Sequence, residues 1–378
     1  MNNYKRILAF LLFFSFFIGA STHFIFAKDS DFGNISANSA CLIEAKSGRV
    51  LYSKNSTKQM PMASTTKVMT AIVAIESEIP LDKIITIPSM AVGVEGSSVY
   101  LKKGEKVTFE MLLYALMLSS ANDAAVAIAH TVCGSVNTFV ELMNEKAKKL
   151  GLENTNFTNP HGLFDENHYT TAEDLAKIMA YAMKNEFFSK ITLCQKKAFS
   201  RDDGTSFLLT NHNRLLKYYD GVIGGKTGFT KKSGRCLVTC AERDGLRLIA
   251  VTLSAPNDWD DHTKLYDFGF SSYKRVHFSA LKVKIPVISG TKNEIVLSNE
   301  AFSTVLSQEH GEIDVIVKAP RFLFASVKKG EQIGEIIYKC DGKTIASSPL
   351  FSLENVEAIK YKFNLFDWLR DIFKGFFN

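Results

Sequence analysis

The sequence predicts an α/β domain of the α+β kind, an antiparallel sheet flanked by helices, followed by a small all-β domain. Three observations carry this. Strand-like stretches stand at both ends of the first domain while its middle reads as helices, which favours one antiparallel sheet built from both ends. The final pair, Arg235 to Glu242 and Leu246 to Ala255, is joined at Arg243-Asp244-Gly245, a hairpin signal. Beyond about Val276 the pattern changes to short apolar stretches separated by Gly-, Lys- and Asp-rich turns.

The chain of 378 residues is long enough for two domains, and 46% hydrophobic with 22% charged residues is an ordinary globular composition. A formal net charge of +6 suits an anionic membrane surface or a cell-wall polymer. Nucleic acid is not expected as a partner, because no dense Lys/Arg stripe is interleaved with aromatics. The six cysteines are irregularly spaced and read mostly as core thiols, and no Cys/His cluster has zinc spacing, so neither metal nor cofactor is expected.

In chain order, Ala40 to Tyr52 reads as two strands about the turn Lys46-Ser47-Gly48, leading into the apolar run Val68 to Ile75, the best buried-helix candidate. Short extended pieces follow at Ile84 to Ile87 and Ser98 to Leu101. Thr108-Phe109-Glu110 then opens a helix that delivers Ser119 and Ser120. Asn122 starts a further helix toward Cys133-Gly134, with Asn122 or its neighbour able to cap it. Val136 to Leu150 is an amphipathic helix, Thr158 to Leu163 a turn-rich loop, and Thr171 to Met183 another helix. Arg201 to Asn213 reads as a polar region, and Asp258 to Tyr273 as a closing helix. In the second domain Val283 to Ile288, Glu312 to Val317, Gln332 to Tyr338 and Lys343 to Ser348 are the strand candidates.

Three short motifs carry the chemistry. Ser64 and Lys67, three apart at the head of the apolar helix, project from one face, so an amine reaches a hydroxyl. Serine is a weak nucleophile at neutral pH, and a lysine of lowered pKa is one way to take its proton. The same spacing recurs at Ser271 with Lys274, Ser279 with Lys282, Ser289 with Lys292 and Ser326 with Lys329. Only the first pair heads a long apolar helix and is followed by Ser120-Ala121-Asn122 and by Lys226-Thr227-Gly228, the latter at the start of a strand-like stretch. Serine-x-x-lysine, serine-x-asparagine and lysine-threonine-glycine in this order belong to penicillin-binding proteins and β-lactamases.

On these motifs the chain resembles the low-molecular-weight penicillin-binding proteins, the serine-type D-Ala-D-Ala carboxypeptidases, from about Ser36 to the C-terminus. The resemblance implies a β-lactamase-like transpeptidase domain that acylates Ser64 with a peptidoglycan stem peptide ending in D-Ala-D-Ala, and with β-lactam antibiotics. It implies Lys67 as the base, Ser120 as proton relay, and Asn122, Lys226, Thr227, Gly228 and Phe229 as substrate-binding residues, the backbone N–H groups of Ser64 and Phe229 receiving the oxyanion. The loop holding His161 would border the cleft. Some relatives place an arginine for the terminal carboxylate after the hairpin, where this chain reads Asn257-Asp258-Trp259-Asp260-Asp261-His262, and neither His262 nor Lys264 is assigned as a substitute.

The expected organisation is a signal peptide at 1–27, a catalytic domain at 28–275, a small all-β domain at 276–360 and an amphipathic terminal helix at 361–378. The signal rests on Lys5 and Arg6 followed by the apolar stretch Ile7 to Ala20 and a cleavage point at Ala27. The terminal helix gathers Leu365, Trp368, Leu369, Ile372, Phe373 and Phe376 on one face, which suits the outer face of the cytoplasmic membrane. The alternatives are a β-lactamase, a D,D-endopeptidase acting on cross-links, and an inert membrane-tethered wall-binding module. No glutamate motif for efficient deacylation identifies a β-lactamase.

Overall fold

The structure, a computed structural model, describes residues 33–201 and 204–360. The expected signal peptide and terminal helix lie outside the described residues. Two compact units divide the chain between Asp267 and Phe268, the turn 243–246 grouping with the second.

The first unit is built on a five-stranded sheet of order β2-β1-β9-β8-β7. Its strands are β1 (Ser39–Glu44), β2 (Val50–Lys54), β7 (Val222–Thr230), β8 (Gly234–Arg243) and β9 (Leu246–Leu253). Early and late strands meet directly, with Cys41 opposite Val251 and Leu42 opposite Ala250. Side chains alternate across a strand, and the two faces of β8 are covered differently. Cys236, Val238 and Cys240 join the main core with α1 (Lys67–Ile75). Thr239 faces α8 (Asp258–Ser272), where its Oγ1 meets His262 Nδ1 and Tyr266 Oη, both at 2.7 Å. The six thiols are all free, and Cys41, Cys236 and Cys240 are buried.

Helix α1 is the hub of the core, with every residue from Lys67 to Ala74 buried. A helix apolar all round must be enclosed on all sides. The same holds for α2 (Phe109–Leu118), whose start is capped by Thr108 Oγ1 accepting from Met111 N–H. α3 (Asn122–Cys133) ends at Gly134 with φ 69°, and α4 (Val136–Lys149) follows a Ser135 cap. α5 (Ala172–Ala182) and α6 (Glu186–Leu193) are capped by Thr171 and Asn185. A short helix, α7 (Leu215–Tyr218), precedes β7.

Two expectations are corrected, and one short strand lies where none was expected. Ser98 to Leu101 forms no strand, because the Val99 and Leu101 amides go to the Asp123 carboxylate. The partner of β3 (Ile84–Thr86) is β4 (Lys106–Thr108), too short to show a period. The polar region around Arg201 is flanked by a hairpin of β5 (Lys196–Ser200) and β6 (Ser206–Thr210), whose strands are largely exposed and so carry little apolar patterning.

The second unit is all β. A pair of β10 (Tyr273–Phe278) and β13 (Phe302–Ser307) accompanies a six-stranded sheet of order β14-β16-β17-β12-β11-β15. Its strands are β11 (Lys282–Ile288), β12 (Glu294–Ser298), β14 (Ile313–Lys318), β15 (Leu323–Phe324), β16 (Gln332–Cys340) and β17 (Lys343–Ser352). Ile295, Leu297, Ile336, Tyr338 and Leu350 fill its core.

Candidate active site

Ser64 sits in a 3₁₀ turn, Ala63–Thr66, that runs straight into α1. Ala63 takes a left-handed φ of 47°, and Thr65 N–H makes the first turn bond, to Met62 O. The N–H of Ser64 precedes that bond and belongs to the unpaired groups at a helix start. One turn on, Lys67 is fully buried. Its Nζ lies 3.0 Å from Ser64 Oγ, 2.6 Å from Asn122 Oδ1 and 2.6 Å from the His161 carbonyl.

Two of those partners can only accept. A neutral amine has two N–H groups, which the Asn122 and His161 oxygens take, and its lone pair is left facing Ser64 Oγ. The neutral form is favoured by burial first and by the Lys226 charge second, which together push the Lys67 amine well below the usual lysine range against an opposing pull from Asp123. Burial also pushes Lys226 down to about 7.

Asn122 does not cap α3. Ala121 holds the cap position without a side-chain bond, and Asn122 instead spans Lys67 and the Glu95 carbonyl, to which its Nδ2 donates at 2.5 Å. Asp123 fixes the neighbouring segment by accepting from Ser98 Oγ at 2.6 Å. Ser120, between α2 and α3, is buried with a left-handed φ of 58°. Such a conformation in a non-glycine residue costs on the order of 1–3 kcal/mol. Its hydroxyl is not among the three partners of Lys67 given above.

Lys226 lies in the middle of β7 rather than at the start of a strand. Alternation puts Lys226 and Gly228 on the α1 face, and Thr227, Phe229 and the cross-strand residues Leu237 and Arg235 on the α8 face. Gly228 meets the nucleophile turn: a Cβ there would lie 2.9 Å from Ser64 N and 3.1 Å from Ala63 Cβ. Lys226 Nζ donates to Thr227 O at 2.9 Å.

β7 is the edge of its sheet. In an antiparallel pair, backbone groups of alternate residues turn to opposite sides of the strand. The N–H and C=O of Gly225 face away from β8, where both meet Thr192 Oγ1. Thr227 and Phe229 share that parity, so their backbone groups turn to the same open edge.

Sequence reasoning missed the backbone carbonyls, which leave no side-chain signature. The carbonyl of His161, not its ring, enters the cluster. The ring accepts from Leu163 N–H at Nδ1, and burial, the largest cause, pushes it down to about 3. Gly162 is the one signal for this approach: its φ is 89°, and a Cβ there would lie 2.0 Å from Ala63 O. His168, also unassigned from sequence, meets Thr66 Oγ1 at 2.7 Å behind the nucleophile turn.

His262 is fully buried between Thr239 and Thr252, and Lys264 pairs with Asp260 on α8, so neither reaches the cleft edge. Arg235, on the face of Thr227, pairs with Asp258 at 2.8 Å and lies over the Trp259 ring. A shallow surface depression of about 550 Å³ lies there, lined by Arg214, Arg235, Asn257 and Trp259 among others and by none of Ser64, Lys67, Ser120, Asn122 or Lys226. Among the described residues no three His, Cys, Asp or Glu side chains gather as a metal site requires.

The chain is similar to known proteins along nearly its whole length. Residues 25–257 match the family model described as D-alanyl-D-alanine carboxypeptidase, and residues 270–358 match that of the penicillin-binding protein 5 C-terminal domain. The chain is 33% identical over 351 residues to D-alanyl-D-alanine carboxypeptidase DacF of Bacillus subtilis, covering 88% of this chain and 90% of the relative. It is 31% identical to DacA of Haemophilus influenzae, covering 97% and 98% of the two chains. The crystal structure of penicillin binding protein 5 from Haemophilus influenzae superposes with a TM-score of 0.75 at 30% identity, covering 86% of this chain and 98% of that one.

Proposed function

The chain belongs to the D-alanyl-D-alanine carboxypeptidase family of serine peptidases, and we propose that Ser64 is the nucleophile with which it removes the terminal D-alanine from peptidoglycan stem pentapeptides. The observation that carries this is the disposition of Lys67, whose Nζ is held 3.0 Å from Ser64 Oγ by two oxygens that only accept. Ser64 Oγ bonds to the penultimate carbonyl carbon as its proton passes to Lys67 Nζ. The N–H groups of Ser64 and Phe229 hold the oxyanion. Its collapse breaks the C–N bond, and Ser120 relays the proton from Lys67 to the departing nitrogen. Water then cleaves the ester and restores the Ser64 hydroxyl.

Asn122 hydrogen-bonds the peptide backbone, and Lys226 and Thr227 meet the terminal carboxylate. Gly228 leaves room for the peptide to lie along β7 as an added strand. β-Lactams present the same acyl group and acylate Ser64. Incubation of the protein lacking residues 1–27 with a stem pentapeptide ending in D-Ala-D-Ala releases one D-alanine, and Ser64→Ala abolishes release. A folded wild-type preparation that leaves the pentapeptide intact refutes this reading.

The protein acts outside the cell, on the outer face of the cytoplasmic membrane. The basic and apolar N-terminal segment supports export, and the aromatic face of 361–378 supports interfacial anchoring. Residues 28–378 are expected to sediment with anionic phospholipid vesicles and residues 28–360 to stay in solution; equal partition of the two forms rejects the anchor.

A further inference from the structure

The open edge of β7 is shorter than the strand itself. Thr192, in the last turn of α6, donates from Oγ1 to Gly225 O at 2.9 Å and accepts from Gly225 N–H at 2.8 Å. Both pairing groups of Gly225 are thereby occupied by one buried side chain. The approach is tight: a Cβ on Gly224 would lie 2.3 Å from Thr192 Cγ2. It is also held from outside, since Asn211 Nδ2 donates to the carbonyls of Thr192 at 3.1 Å and Cys194 at 3.0 Å, fixing the end of α6.

We infer that Thr192 is a specificity-determining residue, which closes the edge of β7 at Gly225 and so limits how far a peptide can continue past the scissile bond as an added strand. This rests on the reading of the site given above. There the scissile carbonyl pairs with Phe229 N–H and the terminal carboxylate meets Thr227, so the substrate runs antiparallel to β7 with its C-terminus toward Gly225. Alternate residues on an edge recur about every 7 Å. With the penultimate residue paired to Phe229, the second residue after it pairs with Thr227 and the fourth needs the N–H or C=O of Gly225, both of which Thr192 already holds. A peptide that continues three residues past the terminal D-alanine is therefore turned off the strand at Gly225.

The test compares a stem pentapeptide ending in D-Ala-D-Ala with the same peptide extended by three glycines, reading cleavage of the D-Ala-D-Ala bond in both by mass. Wild type is expected to cut the extended peptide with a kcat/KM far below that for the pentapeptide. Thr192→Ala frees Gly225 and is expected to raise the ratio of extended to free cleavage about tenfold, the worth of a hydrogen bond or so on an edge strand. Thr192→Val, which keeps the bulk and frees the same two groups, raises it less, and supplies the answer should the alanine variant not fold. Equal cleavage of both peptides by wild type overturns the inference, as does an unchanged ratio in variants that still release D-alanine from the pentapeptide. Failure of wild type to cut either peptide instead overturns the reading of the site, and the inference with it.

Discussion

Lys67 Nζ lies closer to Asn122 Oδ1, at 2.6 Å, than to Ser64 Oγ, at 3.0 Å, so the proposed base is tied more tightly to Asn122 than to the proposed nucleophile. Replacing Asn122 therefore disturbs proton transfer as well as binding. Asn122→Asp sets a negative charge against the amine, favours its ammonium form and raises its pKa. Acylation by penicillin, followed by intact mass, is expected to slow by about tenfold or more near neutral pH. The acid limb of its pH profile should move to higher pH, and an unmoved limb would show that Asn122 does not govern the base.

The two buried lysines make a second prediction. Lys226 charge is one of the causes that depress Lys67, so Lys226→Met should raise the Lys67 pKa and shift the acid limb of acylation upward, whatever happens to the rate at its plateau. Stability changes too. The folded pKa of Lys226, about 7, lies below its ordinary 10.5, so between these values the unfolded chain binds more protons and stability rises with pH. Lys226→Met is therefore expected to be more stable than wild type at pH ~6, with the gap narrowing toward pH ~10. Denaturant melts at the two pH values read the difference, and a constant gap contradicts it.

Gly228 does not have a left-handed φ, so alanine costs its backbone little; the cost is in the space shared with Ser64 N. Gly228→Ala should fold with a lowered melting temperature, because the backbone of the nucleophile turn must give way, and lose acylation by roughly 10²-fold or more, the scale of a lost oxyanion donor. Retention of wild-type acylation would remove Gly228 from the site.

Beside Lys226 and Thr227, Arg235 is the next cation expected to act on the terminal carboxylate, since it shares the face of Thr227 and stands opposite Phe229 on β8. Arg235→Ala is expected to raise KM for the pentapeptide about tenfold, with a smaller change in kcat, the pattern of a lost ground-state contact. The C-terminally amidated pentapeptide is the control, since without a carboxylate it should distinguish poorly between the two proteins. An identical loss on both peptides would make Arg235 a purely structural partner of Asp258.

The hub of the fold was legible in the sequence because it is built from apolar periodicity and side-chain motifs. The run from Val68 to Ile75, the helix before Ser120 and the hairpin around Asp244 announce themselves, and the meeting of β1 with β9 follows from strands at both ends of a helical middle. Geometry through backbone was not legible. The His161 carbonyl, the Glu95 carbonyl and the edge groups of Gly225 belong to every residue alike, so only Gly162 and Gly224, pressed against Ala63 and Thr192, hint at them. Exposed strands such as β5 were lost for a different reason: with little to bury, they have no pattern to read.

The order β2-β1-β9-β8-β7 also sets a timetable. The nucleophile turn is made early in the chain, but the strand that completes its cleft is joined to the sheet through β8 and β9, the last strands of the domain. A chain emerging N-terminus first carries Ser64, Lys67 and Asn122 well before it has a surface for substrate to lie on. Such closure through distant segments is slow to nucleate. Until β8 and β9 have followed it, β7 has no sheet whose edge it can form, and the proposed substrate has no strand to join.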